Sequence, residues 1–310
     1  MKENPIIKPR ITRHEAILLG SQDQNDQNGE DRVWRISDGD NEIACIIPSA
    51  NLRDTLLAEP LTSYRMQLVD WDAKYGASPD ILPVLTAVEF SDELDDPLRL
   101  LPPSLCPVDG VVENTLELLD QLECRPLRCL VRTVFRRREV ASAYWVIPAS
   151  RRHHHARPGG LAVHSLEVAR DLAGQQTLAR HERELCIAAG LLHDIGKIWA
   201  YTADMFLSAP AKAMGHELLG LSRLEQELTL LEQDWPDGAY ALRVMLSGNS
   251  RMRTDGSMPS SLLARLKAAD QRSCEQDRAL RNEEGAWTPV TYLPTKMSSF
   301  DQWMDDLVEI

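Results

Sequence analysis

Residues 191–197 read Leu-Leu-His-Asp-Ile-Gly-Lys and end an apolar, helically spaced run that starts near residue 182. Such a run is typical of a buried amphipathic helix. His193 and Asp194 stand side by side at its end, and Gly196 permits close backbone approach there. An imidazole and a carboxylate are costly to bury unless they are paired or bound to a cation. The stretch therefore predicts a polar interior site at the end of a helix.

Two further side chains with ligand chemistry lie on the inward stripes of other predicted helices. His164 belongs to a helix over 161–172, and Asp270 belongs to a helix over 260–274. Helical bundles build metal sites from side chains on different helices that point at one interior position. Imidazole nitrogens with carboxylate oxygens suit a divalent ion such as Mn, Fe, Mg or Zn. The predicted metal ligands are His164, His193, Asp194 and Asp270.

The remaining histidines are also concentrated near this motif. Seven of the eight histidines lie within residues 153–216. They include a triplet just before the His164 helix and a further histidine, His216, that follows the His-Asp pair. We interpret these additional histidines as candidates to bind a second ion or the substrate. They are His153, His154, His155 and His216.

Charge is distributed unevenly along the chain. Residues 125–157 contain nine arginines and one acid, whereas the whole chain has a net charge of −13. The net charge argues against a protein that coats nucleic acid over its whole surface. Guanidinium groups match phosphate oxygens, so the basic run favours a phosphate-bearing substrate, with a solvated helix face as the alternative. The arginines nearest the histidine triplet, Arg151, Arg152 and Arg157, are the candidate phosphate-binding residues.

The first 110 residues differ in pattern from the rest. Short β-branched runs at 33–36 and 42–47 are joined by a turn-rich segment, which predicts a hairpin. Further strand candidates at 64–69 and 84–90 extend this to a small β-barrel or a meander. An acidic, proline-rich stretch over 91–103 is the predicted linker.

Helical periodicity takes over near residue 111, so we predict a β-rich domain over 1–110, an α-helical domain over 111–280 and a tail over 281–310. An amphipathic stripe from Phe300 to Val308 predicts a short helix in the tail, which docks on its own core or contacts another copy or a partner.

The six cysteines, without a CxxC pair, are predicted to be reduced small hydrophobes. The chain lacks an apolar signal core and an apolar run of about 18 residues, which favours a cytoplasmic protein without a membrane span.

Taken together, His164, His193-Asp194 and Asp270 resemble the H…HD…D signature of the HD-domain metal-dependent phosphohydrolases, over roughly residues 111–280. The resemblance implies an all-α domain in which these four residues bind the metal and Lys197 faces the substrate phosphate. It also implies that the metal lowers the pKa of a bound water and polarises a phosphoryl oxygen. Asp194 would orient or deprotonate that water.

Two subfamilies are similar in more detail. Residues 147–168 resemble the HD core of the TraI-type relaxases of the MOBH class, in which a histidine triplet belongs to the DNA-processing site. The layout resembles the YhaM-type 3′-to-5′ exoribonucleases, in which an OB-like barrel precedes an HD domain. This implies a mixed fold, a small β-rich, OB-like N-terminal domain followed by an all-α HD domain. Trp34, Tyr64 and Trp71 are then either base-stacking residues or members of the barrel core.

The chain departs from the HD pattern in one place. HD proteins with two metals use further histidines, of which His216 matches the first, whereas residues 246–250 read Leu-Ser-Gly-Asn-Ser. Either one ion suffices, or the triplet helps to hold a second, or part of the activity has been lost. The leading hypothesis is a metal-dependent phosphodiesterase or nuclease for single-stranded nucleic acid. The alternatives are an HD nucleotidase or cyclic-nucleotide phosphodiesterase, and a degenerate, TraI-like nucleic-acid-binding module of a mobile element.

Overall fold

A β-barrel precedes a helical region in this computed structural model. The residues that the structure describes are 9–22, 32–58, 60–71, 81–92, 96–151, 153–202, 206–248 and 258–284. This arrangement confirms the predicted fold class, a β-rich first part followed by an α-helical part. The predicted tail helix and the polar segment 23–30 lie outside the described residues. The helices within these ranges include none that is long and apolar enough to cross a membrane.

Five strands close into a barrel. They are β1 (Pro9–Gln22), β2 (Val33–Ser37), β3 (Glu42–Ile46), β4 (Tyr64–Trp71) and β5 (Val84–Phe90). The strand order is β1-β2-β3-β5-β4, and the barrel closes because β1 pairs with both β2 and β4. Neighbouring strands are antiparallel except for β3 and β5. The helix α1 (Ala50–Ala58) connects β3 to β4. The predicted β2–β3 hairpin is confirmed, whereas β1 and α1 were missed.

Two of the aromatic residues considered for base stacking belong to the barrel core. Trp34 and Tyr64 are each 5% exposed and pack with Ile36, Met66 and Leu85 inside the barrel. A small barrel must fill its interior with side chains, and large aromatic rings fill it efficiently. The stacking interpretation is therefore wrong for these two residues. The side chain of Trp71 lies outside the described set.

The helical part follows two short 3₁₀ turns and contains α2 (Val111–Asp120), α3 (Arg125–Arg136), α4 (Arg138–Ala143), α5 (Gly160–Ala173), α6 (Arg180–Leu192), α7 (Lys197–Ala200), α8 (Ala209–Arg223), α9 (Glu225–Asp234), α10 (Pro236–Leu246) and α11 (Met258–Glu284). Pro126 occupies the first turn of α3, where its missing N–H costs nothing. Leu224 separates α8 from α9.

The close packing of α5 against α6 positions the candidate site. A Cβ on Gly190 would lie 2.7 Å from the Ala169 Cα, so the two helices approach closely only because residue 190 has no side chain. Most of the apolar side chains of α5 and α6 are buried in the same core as those of α10 and α11. The end of α6 therefore lies beside the middle of α5, and α11 packs against both helices.

Arginines join the barrel to the helical part. Arg136 donates from Nε to the Leu61 carbonyl, at 2.9 Å, and its own carbonyl accepts from the Leu61 N–H, at 2.8 Å. The Arg138 guanidinium donates to the carbonyls of Leu18, at 3.2 Å, and Leu56. These backbone contacts fix the two parts of the chain against each other.

Other members of the basic run are also engaged in the fold. Arg132 forms ion pairs with Asp96 and with Asp120, the latter at 2.6 Å. Arg137 lies 2.6 Å from Glu139 and donates to the Arg223 carbonyl at 2.7 Å. These arginines are therefore engaged within the protein, and the phosphate-bearing substrate that the basic run favours stays a prediction. Local charge in the sequence does not show which arginines find partners within the fold.

Candidate metal centre

The four predicted ligands meet at one position inside the helical part. The Nε2 atom of His164 lies 3.1 Å from Asp270 Oδ1, 3.3 Å from His193 Nε2 and 3.5 Å from Asp194 Oδ2. His164 comes from α5, Asp270 from α11, and the His193-Asp194 pair from the turn that follows α6. Three segments far apart in the chain thus place two imidazoles and two carboxylates within contact distance.

A hydrogen bond of His193 determines which of its two ring nitrogens offers a lone pair to this cluster. Its Nδ1 lies 2.9 Å from the carbonyl oxygen of Gly190. A carbonyl can only accept, so Nδ1 must carry the proton. In the neutral ring, Nε2 is then unprotonated and offers its lone pair to the cluster.

A similar argument assigns the protons of His164, which is fully buried. Ser273 donates its hydroxyl to Glu167 Oε2, at 2.6 Å, so its oxygen accepts from His164 Nδ1, at 2.9 Å. Burial lowers the pKa of His164, although the adjacent Asp270 opposes this shift. The ring is therefore neutral, with its proton on Nδ1 and its lone pair on Nε2. This support of an imidazole by a hydroxyl and a carboxylate is typical of histidines that bind metal ions.

Asp194 is an ionised carboxylate held from two sides. Its Oδ2 accepts from Lys197 Nζ at 2.7 Å, and its Oδ1 lies 3.0 Å from His216 Nε2. Burial alone would raise the pKa of Asp194, but the Lys197 ammonium, His193 and His216 hold it well below its usual range. The pKa of Lys197 is correspondingly raised, because the attraction of Asp194 outweighs the effect of burial. Lys197 thus pairs with Asp194 while lining the cavity described below.

Asp270 lies at the open side of the cluster, with 41% of its side chain exposed. Partial burial would raise its pKa, yet the contacts with His164 and His193 lower it, so this carboxylate is also ionised. The inward-facing atoms of the cluster are consequently two imidazole lone pairs and two carboxylate oxygens. Electron-pair donors at 3.1–3.5 Å repel one another unless a cation lies between them. The donor set therefore fits a divalent ion.

The histidine triplet is divided between two environments. His153 and His154 line the cavity, and the ring of His154 lies 5.0 Å from that of His164. Burial lowers the pKa of His154 to about 3, so this ring is neutral at physiological pH. His155 is fully buried and adopts a left-handed backbone, with φ of 47°. Its Nε2 lies 3.1 Å from Glu167 Oε2, on the far side of the network that supports His164.

Arg151 and Arg157, two of the predicted phosphate-binding arginines, are not among the described residues that line the cavity. Arg157 pairs with the buried Asp277 at 3.0 Å, and the Arg151 guanidinium lies over the Phe206 ring, 5.4 Å from its centre. Arg152 lies outside the described residues. The charge of Arg157 is thus already paired within the fold, and phosphate binding by this residue stays a prediction.

An open cavity of about 610 Å³ lies over the cluster. The described residues of its wall carry three cations, Lys197, Lys267 and Arg278. The wall also contains Tyr201, Glu217, Gln271 and Cys274, which the sequence did not single out. Gln271 and Cys274 lie on α11 within the predicted helix over 260–274, one position and one turn after Asp270, whereas Arg278 lies one turn beyond its predicted end.

The cavity wall also includes residues from the segment 246–250, where a two-metal HD site would have further histidines. Gly248 lies there with a positive φ of 60°, and a Cβ on it would come 3.2 Å from the Glu217 side chain. His216 is present, but its Nε2 contacts Asp194 and so supports that carboxylate.

Comparison with known families agrees with this geometry. A family model described as HD domain matches residues 161–273, a segment that contains all four residues of the cluster. Searches of curated proteins and of solved structures found no match. The match supports an HD domain over residues 161–273, a kind of domain generally found in metal-dependent phosphohydrolases.

Proposed function

We propose that this protein is a metal-dependent phosphodiesterase that hydrolyses single-stranded nucleic acid. One observation carries the hydrolytic part of the proposal: His193, Asp194 and Asp270 each place a donor atom within 3.5 Å of His164 Nε2, beneath an open cavity. These four residues would hold a divalent ion such as Mn, Fe, Mg or Zn. When bound, the ion would supply a Lewis acid that makes water more acidic and polarises a phosphoryl oxygen.

The protein side chains have separate tasks around this position. Asp194 is kept ionised by Lys197 and His216, so it can orient a water molecule and accept its proton. Lys267 and Arg278 are exposed on the cavity wall, where they can neutralise phosphate oxygens of a bound strand. No side chain has to act as a nucleophile in this scheme.

The barrel supports a polymeric substrate. A closed five-stranded barrel with a helix between β3 and β4 corresponds to the architecture of OB-like domains, which bind single strands. Phe90 and Ile11 are exposed on the barrel, at 65% and 61%, and Arg13 is exposed on the same strand as Ile11. An exposed aromatic ring can stack with a base, and an exposed guanidinium can contact a phosphate.

A second candidate is a nucleotidase or cyclic-nucleotide phosphodiesterase. The cavity volume of about 610 Å³ is within the range of small-molecule pockets. In addition, Trp34 and Tyr64 are buried, and Arg136 and Arg138 contact carbonyls of the barrel, so these residues are engaged without a nucleic acid. This candidate predicts rapid turnover of mononucleotides and no dependence on strand length.

The test compares substrates under one set of divalent ions. End-labelled single-stranded RNA and DNA, mononucleotides and cyclic nucleotides are incubated with the wild type, His193→Ala and Asp194→Asn. His181→Ala is the matched control, because His181 is exposed at the start of α6, the helix whose other end leads into His193. We expect strand cleavage by the wild type and control, and its loss in the two site variants.

Three results would contradict the proposal. Cleavage of mononucleotides alone would favour the second candidate, and full strand cleavage by His193→Ala would separate the activity from this site. Binding of strands without cleavage under every divalent ion would instead support a non-catalytic module, as the missing histidine near Gly248 allows.

A further inference from the structure

The cavity contains a second set of metal-ligand side chains that shares His164 with the first. Donor atoms of His154, His164 and Cys274 all lie within 4.8 Å of one another, as do those of His164, His193 and Asp270. Ligand atoms bound to one ion at about 2.0–2.3 Å can be at most about 4.6 Å apart. Each set is close to this limit, and the two sets share His164.

Cys274 belongs to this cluster by its position on α11. It follows Asp270 by one helical turn, and its Sγ lies 3.5 Å from Asp270 Oδ1. The thiol is almost fully buried, yet it lines the polar cavity. Cys45 and Cys186, by contrast, are buried within apolar cores. The prediction that all six cysteines are merely small hydrophobes thus does not describe the surroundings of Cys274.

One ring nitrogen of His154 has no hydrogen-bond partner in the described part of the protein. This atom, Nδ1, is buried. In the neighbouring ring of His164, by contrast, Nδ1 bonds to the Ser273 hydroxyl. A buried polar nitrogen without a partner is costly, and a bound cation would remove that cost.

We propose that His154 and Cys274 complete the ligand set of the metal ion at the cluster, so that the site takes a thiolate-binding ion such as Zn²⁺, Fe²⁺ or Co²⁺ in preference to Mg²⁺. This inference rests on the proposed function, because it concerns the same ion. Sulfur and imidazole ligands favour these ions, whereas Mg²⁺ prefers oxygen ligands and retains water. Binding would release the proton of the Cys274 thiol. The thiolate and His154 would supply ligands that Gly248 cannot.

Cobalt substitution tests this inference without measuring activity. Metal-free full-length protein is titrated with Co²⁺, which gives visible absorption when bound by nitrogen and oxygen ligands and a near-ultraviolet charge-transfer band when a thiolate is also bound. The variants are Cys274→Ala, Cys274→Ser, which keeps a hydroxyl beside Asp270, and His154→Ala. The matched control is Cys186→Ala, which removes another buried thiol outside both donor sets.

We expect the near-ultraviolet band in the wild type and in Cys186→Ala, and its loss in both Cys274 variants while the visible bands remain. His154→Ala should keep the thiolate band but bind Co²⁺ more weakly. If the wild type shows visible bands without the thiolate band, or if the band survives in Cys274→Ala, the inference is wrong and the proposed metal site stands. If the wild type binds no Co²⁺, both are wrong.

Discussion

Replacing Ser273 with alanine probes how the protein holds His164 ready for a metal ion. In the wild type, the Glu167–Ser273–His164 chain keeps the imidazole proton on Nδ1, so that Nε2 faces the cluster with its lone pair. Without the hydroxyl, the favoured tautomer places the proton on Nε2, which lies 3.1 Å from the acceptor Asp270 Oδ1. A metal ion must then displace that proton and break that hydrogen bond.

The magnitude follows from these contacts. Loss of an outer-shell partner of a metal-binding histidine typically costs 10–100-fold in affinity, which is about 1.4–2.8 kcal/mol. One neutral hydrogen bond at a buried site is worth a similar amount, roughly 1–3 kcal/mol when a partner is left unsatisfied. We therefore expect Ser273→Ala to weaken Mn²⁺ or Zn²⁺ binding by roughly 10–100-fold.

Isothermal titration of metal-free protein at constant pH measures this change. Ser222→Ala serves as the control, because the Ser222 hydroxyl bonds to a helix carbonyl at 2.8 Å, outside the cluster. The control should bind metal as the wild type does. Unchanged metal affinity in a folded Ser273→Ala protein would refute the argument that this hydroxyl sets the tautomer of His164.

Two other outcomes are expected from the fold and the site. Arg138→Ala should lower the free energy of unfolding by roughly 2–3 kcal/mol in chemical denaturation, because the carbonyls of Leu18 and Leu56 lose their donor. Arg125 is exposed, so Arg125→Ala should change this free energy by less than about 0.5 kcal/mol. Equal, small effects of the two variants would contradict the junction role. Gly196→Ala should destabilise the protein by roughly 1–3 kcal/mol and reduce hydrolysis, since a Cβ there would lie 1.9 Å from the His216 carbonyl oxygen. Gly174→Ala, with 3.6 Å to its nearest neighbours, should be tolerated in the same assays, and wild-type stability in Gly196→Ala would refute the packing argument.

The main elements of the site could be predicted because metal-ligand chemistry is rare on apolar helix faces. His164, His193, Asp194 and Asp270 stood out for this reason, and the structure brings them together. The Ser273 hydroxyl could not be found in the same way. A serine beside polar residues has many ordinary roles, and only the distance to His164 Nδ1 distinguishes this one.

The basic run shows the limit of charge as evidence. A dense series of arginines indicated a phosphate-facing surface, but Arg136 and Arg138 donate to barrel carbonyls, and Arg157 pairs with Asp277. Sequence reveals charge but not the partner that each charge finds across the fold. The barrel was likewise only partly predicted, because β1 is long and lacks a clear alternation of apolar and polar residues.

The most direct test of the central claim is a metal titration of the wild type beside His164→Ala and Asp270→Ala, with unfolding temperatures measured for the metal-free forms. Four donors from three segments predict one tight divalent site in the wild type. The metal affinity should fall at least about 100-fold in either variant, because removal of a mere outer-shell partner already costs up to about that factor. The claim would be contradicted by a wild type that binds no divalent ion, or by folded variants that bind it equally well.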